Sequence, residues 1–276
     1  MAKFVRPVNS HGAPHAVQKA SFVFLPAQPQ MLSKDILEAI RSQRDEDELL
    51  RDRFTAVRDI LIASVQIGPN GMGQTESTNK VGFILEGFDE AGRSARELHL
   101  HPDHIHYATT KYTRWSETWP TVQRVVEKVV PLLHKRDVSL KGMLLQFDDL
   151  FEADYDKDRS WFAELFAKES GLFPGVINEH CPDAWHSYTG FFEKPVDVHG
   201  RVLTNINIVV KPKESIEPRN GYEISIQMSH RLDFDFPEEV TVENISENMQ
   251  LLHDQNKKYM TRLLAEDIRT AIQLGS

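Results

Sequence analysis

Four residues that lie close together in the sequence are of the types that bind zinc. His99, His101, Asp103 and His104 are spaced as H-x-H-x-D-H. Imidazoles and a carboxylate that converge on one point can hold Zn²⁺, and the bound ion lowers the pKa of a water ligand to about 7. The string therefore raises the hypothesis of a zinc-dependent hydrolase that uses these four residues.

The residues that follow the string favour a different interpretation. In the metallo-β-lactamase fold the same string comes after a buried strand and an Asp-x-Gly turn, and a helix follows it. Here residues 105–108 continue a β pattern. We therefore expect His99 and His101 to share one strand face, and His104 and His106 to share one face further along. Same-face neighbours are about 6–7 Å apart, too far to close a tetrahedron. We predict no metal and no cofactor, with zinc as the alternative.

Three other motifs are incomplete. Asp154 to Ser160 resembles the start of a calcium loop, but Arg159 and Leu165 stand where such a loop needs Gly and Glu. Residues 68–73 are rich in glycine but lack the Lys-Ser/Thr of a phosphate-binding loop. Cys181 has His180 beside it and His186 nearby, yet a lone cysteine is more often a small buried hydrophobic residue. None of the three predicts a catalytic site.

Charge and cysteine usage narrow the class of protein. The chain has 276 residues, a net charge of -9 and one cysteine. A single cysteine forms no internal disulfide, which favours a reducing, cytoplasmic location. The acidic balance argues against a nucleic-acid partner, since phosphate contacts need a basic face. No window reaches the ~18 apolar residues of a membrane helix. The partner we expect is another protein, and a homo-oligomer is left open.

Hydrophobic patterning predicts an α+β fold. Strands are expected at 16–25, 81–88, 96–107, 138–147, 202–210 and 222–234, and helices at 33–40, from 118 onward, at 160–168 and at 243–273. The pattern indicates antiparallel sheets with helices packed on one side and a long C-terminal helix. It also suggests two similar strand-helix-meander halves, at 15–137 and 138–276, after a flexible N-terminus at 1–14. A single continuous domain is the alternative.

The stretch from Leu98 to Phe151 carries a family resemblance. It reads L-H-L-H-P-D-H-I-H-Y, continues through Tyr112, Trp115 and Trp119 into a helix, and ends in a strand with Q-F-D-D at 146–149. This pattern resembles a sporadically distributed family of bacterial proteins whose function is unknown. The family usually has Arg-Tyr where this chain has Gln-Phe. The resemblance implies a compact α+β fold and no particular activity or site residue.

Three functions remain as hypotheses. The first is a non-enzymatic interaction protein, such as an antitoxin-like, immunity-like or chaperone-like accessory factor, because no coherent catalytic constellation stands out. The second is the zinc-dependent hydrolase at 99–104. The third is a small-ligand sensor whose pocket lies between the sheet and the helices.

Overall fold

The computed structural model describes residues 5–8, 15–28, 32–67, 74–154, 161–174, 177, 184–196, 198–213, 221–239 and 241–274. The strands in these parts of the chain are β1 (Val5–Pro7), β2 (Val17–Pro26), β3 (Ala56–Ile67), β4 (Gln74–Phe88), β5 (Ser94–His101), β6 (His104–Thr109), β7 (Ser139–Ala153), β8 (Trp185–Glu193), β9 (Gly200–Pro212) and β10 (Tyr222–Glu239). The helices are α1 (Lys34–Glu46), α2 (Glu48–Arg53), α3 (Trp115–His134), α4 (Trp161–Leu165), α5 (Val242–Leu263) and α6 (Glu266–Ala271).

All described strands join one antiparallel sheet. Its order is β3-β4-β5-β6-β2-β7-β10-β9-β8, and β1 also pairs with β7. In each half of the chain the first strand pairs with the last strand of its own meander, β2 with β6 and β7 with β10. Because β2 also pairs with β7, the sheet runs without interruption past the expected boundary at 137/138. The α+β class is confirmed.

Helix α5 joins two hydrophobic clusters. Ile245, Met249 and Leu252 belong to the cluster that contains α1 and α3. Met260 and Leu263, further along the helix, belong to the cluster beneath α4 and α6. Most of the core therefore depends on this one helix. No helix among the described residues combines the length and the apolar composition needed to cross a bilayer.

Local signals explain the elements that the sequence predicted well. Ser33 caps α1 by accepting a hydrogen bond from the Ile36 amide at 3.4 Å. The hairpin of β9 and β10 is antiparallel, as expected, and its paired residues Ile208 and Ile226 are fully buried. Even-numbered positions of β10 from 222 to 228 lie in the core, while positions 223, 225 and 227 are half-buried.

The C-terminal helix predicted at 243–273 is interrupted. It ends at Leu263 because Leu264 is extended and forms a β-bridge with Phe166. The backbone hydrogen bonds on either side run to the α4 segment: Ala167 N–H donates to the Leu263 carbonyl at 2.8 Å, and Ala265 N–H donates to the Leu165 carbonyl at 2.9 Å. These tertiary bonds replace helical ones, which helical periodicity alone cannot reveal.

Several predicted boundaries were also wrong. Helix α3 begins at Trp115 and passes through Pro131 to His134, because Val130 before the proline and Leu133 after it are both buried and hold the last turn. Strand β4 begins at Gln74, earlier than the predicted start at 81. Residues 5–7 form β1 on β7, so the N-terminus is not irregular there. The 160–168 helix is reduced to α4.

Candidate functional site

A cavity of about 250 Å³ lies between the middle of the sheet and a layer formed by helices α3 and α5 and the segment after α6. Its walls come from the start of β2, the first turn of α3, β7, α5 and the segment after α6. The lining residues are His15, Ala16, Val17, Tyr112, Thr113, Arg114, Trp115, Ser116, Phe147, Asp149, His253, Asn256, Lys257, Met260, Ile272, Gln273 and Leu274.

Asp149 is the buried acid of this cavity. Strand β7 alternates, so that Phe147, Asp149 and Phe151 point to the helix side, and Asp149 is only 4% exposed. Its register partner on β2 is Val17, where a bulge shifts the pairing. Burial, and secondarily the neighbouring Asp148 charge, raises the pKa of Asp149 to about 7. Among the described residues no group donates a hydrogen bond to this carboxylate.

Aromatic rings surround the acid. The Tyr112 ring meets Phe147 edge-on at 5.3 Å and His15 edge-on at 5.2 Å. Burial, and then the negative charge of Asp149, raises the pKa of the Tyr112 hydroxyl above its usual value of about 10. Tyr112 therefore stays protonated at neutral pH and can donate a hydrogen bond into the cavity.

The stacked rings of Trp115 and His253 form the wall between α3 and α5. Their centroids are 4.2 Å apart at an angle of 9°. Trp115 Nε1 donates to Gln250 Oε1 at 2.7 Å, which fixes the indole on α5. Burial lowers the pKa of His253 to about 4, although Asp254, 3.6 Å from Nδ1, opposes that shift. At neutral pH this wall is uncharged.

Cationic groups mark the mouth of the cavity. Arg114 is exposed and Lys257 is half-buried, whereas Asp149 is buried, so the cations lie towards solvent and the acid lies inside. Arg114 is also the N-cap of α3 and makes no side-chain cap hydrogen bond. The first amides of a helix carry partial positive charge. The Arg114 guanidinium donates to the Gln273 side chain, which ties the C-terminal segment to α3.

The histidine string has a different structure from the one predicted. Residues 96–107 are two strands, and the chain reverses at Pro102 and Asp103. Proline has no N–H for a ladder and favours the first central position of a turn. His101 and His104 therefore face each other across the hairpin, with ring centroids 5.1 Å apart. The expectation of side chains spread along one strand is wrong.

Three of the four string residues converge at the tip of this hairpin. Asp103 Oδ1 lies 2.5 Å from Nδ1 of His101 and 2.5 Å from Nδ1 of His104. His99 is not part of the group: it pairs with His106, and its Nε2 lies 2.8 Å from Glu97 Oε2. The tip thus carries two imidazoles and one carboxylate whose ligand atoms lie within 4.8 Å of one another.

The other sequence motifs are only partly visible. Cys181, His180 and residues 68–73 lie outside the described residues, as do residues 155–160 of the calcium-like segment. His186 lies on β8 and is exposed. Asp154 forms an ion pair with Arg6 at 3.1 Å, so it acts there as a surface partner for β1.

Sequence reasoning missed Asp149, although a signal was present. The order Leu145, Phe147, Asp149, Phe151 places an acid at a core position of an alternating strand. An acid in such a position needs a partner or a cavity. Comparison of the chain with protein-family models and with curated proteins gave no match. A function can therefore be inferred only from the residues of the chain itself.

Proposed function

We propose that this chain binds a small organic ligand in the cavity around Asp149. The ligand carries an amine or another strong hydrogen-bond donor at one end and an anionic group at the other. The observation that carries the proposal is the buried carboxylate of Asp149, which faces the cavity and receives no hydrogen bond from the described residues.

The buried acid supports a donor-bearing ligand. An ionisable group inside a protein costs free energy unless it is hydrogen-bonded or paired, or stays neutral. A ligand ammonium group would supply both a hydrogen bond to the Asp149 carboxylate and the positive charge that pairs with it. The neighbouring residues Tyr112, Phe147 and Trp115 line the cavity, and the face of an aromatic ring attracts a cation in a desolvated site. Neutral His253 adds no competing positive charge at neutral pH.

The mouth supports an anionic group on the same ligand. Arg114, Lys257 and the first turn of α3 are all positively charged or positively polarised. A carboxylate or a phosphate would be attracted there, while the amine reaches Asp149. The volume of about 250 Å³ lies just below the ~300–1,000 Å³ of typical ligand pockets. That size suits a small metabolite of the amino-acid class.

The placement of the cavity also supports a sensing or carrying role. Helices α3 and α5 and the segment after α6 all contribute lining residues, so a ligand would bind the helical layer and the sheet together. A ligand that binds the folded chain raises its apparent stability by mass action. The third hypothesis from the sequence, a small-ligand sensor, is the one that this geometry favours.

The experiment is a ligand screen read by thermal shift and by native mass spectrometry. Amino acids and related aminocarboxylates are compared with their deaminated and decarboxylated analogues. Only compounds with both groups should raise the melting temperature strongly. Asp149→Asn should weaken binding by roughly 10–100-fold, because a hydrogen bond to a charged group contributes about 1.5–3 kcal/mol.

The matched control is Asp148→Asn. Asp148 is the next residue of β7, lies on the other face of the sheet, and accepts hydrogen bonds from Gln146 and Gln227. Wild-type affinity is expected in this variant. Equal binding by the wild type and by Asp149→Asn for every compound in the screen would reject the proposal.

The interaction-protein hypothesis stays a prediction. Both edge strands of the sheet expose large apolar side chains: Leu61 (59%) and Ile62 (50%) on β3, and Tyr188 (67%) and Phe192 (54%) on β8. Such side chains are compatible with a protein partner. They do not identify one, and the cavity carries the more specific chemistry.

A further inference from the structure

The tip of the β5–β6 hairpin holds a set of metal-ligand atoms that the ligand cavity does not use. His101 and His104 are paired residues that flank the two-residue turn, so their rings lie side by side. Asp103, inside the turn, places one carboxylate oxygen 2.5 Å from both Nδ1 atoms. These side chains are 26%, 35% and 55% exposed, so an ion can reach them from solvent.

We propose that His101, Asp103 and His104 form a binding site for a divalent transition metal of the zinc type. Zn²⁺ takes imidazole nitrogen at about 2.0–2.1 Å and carboxylate oxygen at about 2.0–2.2 Å. In a tetrahedral site those lengths put the ligand atoms roughly 3.3 Å apart. The observed 2.5 Å contacts would therefore widen by less than an ångström, within reach of side-chain rotation at a hairpin tip.

The donor set selects the class of ion. Two imidazoles and one carboxylate suit Zn²⁺, Co²⁺, Ni²⁺, Cu²⁺ and Fe²⁺, whereas Mg²⁺ and Ca²⁺ prefer all-oxygen sites. Among divalent first-row ions copper is expected to bind more tightly than zinc. The proposal concerns this class of ion, with zinc as the probe.

Three protein ligands leave at least one coordination position open. Structural zinc sites are closed by four protein ligands, while sites that bind water or substrate keep a position free. His101 and Asp103 also line a cleft of about 900 Å³, together with Lys34, Glu38 and Lys80. The open position therefore lies at the edge of a space large enough for a further ligand of the metal.

The expectation of no metal at this string rested on a continuous strand. Because the chain reverses at Pro102, that reason no longer holds. His99, the fourth residue of the string, lies one step along the hairpin with His106, at a ring separation of 5.1 Å. It serves as the internal control, since it has the same residue type, the same strand and a similar environment but no contact with Asp103.

The test is titration of the full chain with Zn²⁺ by calorimetry, after treatment with a chelator. One ion per chain is expected to bind. His101→Ala, Asp103→Ala and His104→Ala should each weaken binding at least tenfold, and His99→Ala should keep wild-type affinity. Co²⁺ provides a second readout, because four-coordinate cobalt absorbs more strongly in the visible region than six-coordinate cobalt. Circular dichroism in metal-free buffer checks the fold, and His104→Gln replaces any variant that misfolds.

Three results would overturn the site. Wild-type affinity in His101→Ala and His104→Ala would mean that the bound zinc is adventitious. Equal losses in His99→Ala and His101→Ala would place the ion on the shaft of the hairpin instead of its tip. Mg²⁺ binding as tight as that of Zn²⁺ would contradict the imidazole ligands.

Discussion

Trp115 and His253 stack at 4.2 Å and thereby join the first turn of α3 to the middle of α5. The stack forms one wall of the cavity, and Gln250 fixes the indole from the same helix. Burial holds the pKa of His253 at about 4. The packing of these two helices therefore depends on an imidazole that must stay neutral.

This stack predicts a loss of stability in acid. The pKa of His253 is about 4 in the folded chain and about 6.5 in an unfolded one, so the unfolded state binds more protons between these values. The contribution of His253 to stability should rise with pH from 4 to 6.5, by at most about 3 kcal/mol. His253→Phe should flatten that part of the profile, as measured by urea unfolding at pH 4.5 and 7.5.

A second substitution separates titration from stacking. His253→Gln also removes the titrating group, so it should flatten the profile as well. It lacks a ring, however, and should lower the free energy of unfolding at pH 7.5, where His253→Phe should not. An unchanged acid profile in both variants would mean that His253 titrates normally.

Asp149 should have the opposite dependence on pH. Its pKa is about 7 in the folded chain and about 3.9 in an unfolded one, so the folded state binds more protons between pH 4 and pH 7. The contribution of Asp149 to stability then falls as pH rises, by as much as about 4 kcal/mol without ligand. Asp149→Asn should match the wild type near pH 4 and exceed it at pH 8 in thermal or urea unfolding. Asp148→Asn should show a smaller gain, because it removes only the lesser cause of the raised pKa of Asp149. A loss of stability at pH 8 in Asp149→Asn would contradict the buried-acid assignment.

The sheet could be predicted from the sequence wherever one local pattern decided the structure. Residues 222–228 of β10 alternate between apolar and polar side chains, so the antiparallel pairing with β9 and an inward face that contains Ile226 could be predicted from this stretch. The cap at Ser33 was equally local. The end of α5 at Leu263 could not be predicted from a local pattern, because it depends on backbone hydrogen bonds to the α4 segment about 100 residues earlier.

The candidate sites also divide into features that a local sequence pattern predicts and features that depend on distant segments. The residues of the histidine string could be identified in the sequence. Their convergence, however, depends on the turn at Pro102. A turn inside a run of β-forming residues is easily missed. The cavity around Asp149 is assembled from β2, α3, β7, α5 and the segment after α6. No local sequence pattern predicts a cavity that is lined by five separate segments. The acid at a core position of β7 did indicate that a polar partner or a cavity lies beside it.

Ile226 should be one of the most sensitive positions of the sheet. It is fully buried on β10 and lies opposite Ile208 and Asp149. Ile226→Ala should lower the free energy of unfolding by about 2–5 kcal/mol, the usual cost of truncating a buried aliphatic side chain. Denaturant unfolding measures the change. The control is Gln227→Ala on the other face of the strand, which should cost much less. Equal effects would mean that the inward face has been misassigned.

The last prediction concerns the dependence of the fold on α5. Met249, Leu252, Met260 and Leu263 of this helix are 0–2% exposed, and they divide between the two hydrophobic clusters. A chain that stops before Val242 would expose the apolar surface of both clusters at once, at a cost of about 25 cal/mol for each Å². We expect an aggregated or unfolded product, seen by size-exclusion chromatography and by loss of a cooperative melting transition.

A shorter truncation is the matched control. A chain that stops after Leu264 keeps α5 and its bridge to Phe166 but lacks α6, whose buried residue is Ile268. It also lacks the Gln273 contact to Arg114 at the mouth of the cavity. This variant should fold with a lower melting temperature, because both clusters keep their main helix. A soluble, cooperatively folded product of the longer truncation would instead make α5 a detachable arm, contrary to its burial in both clusters.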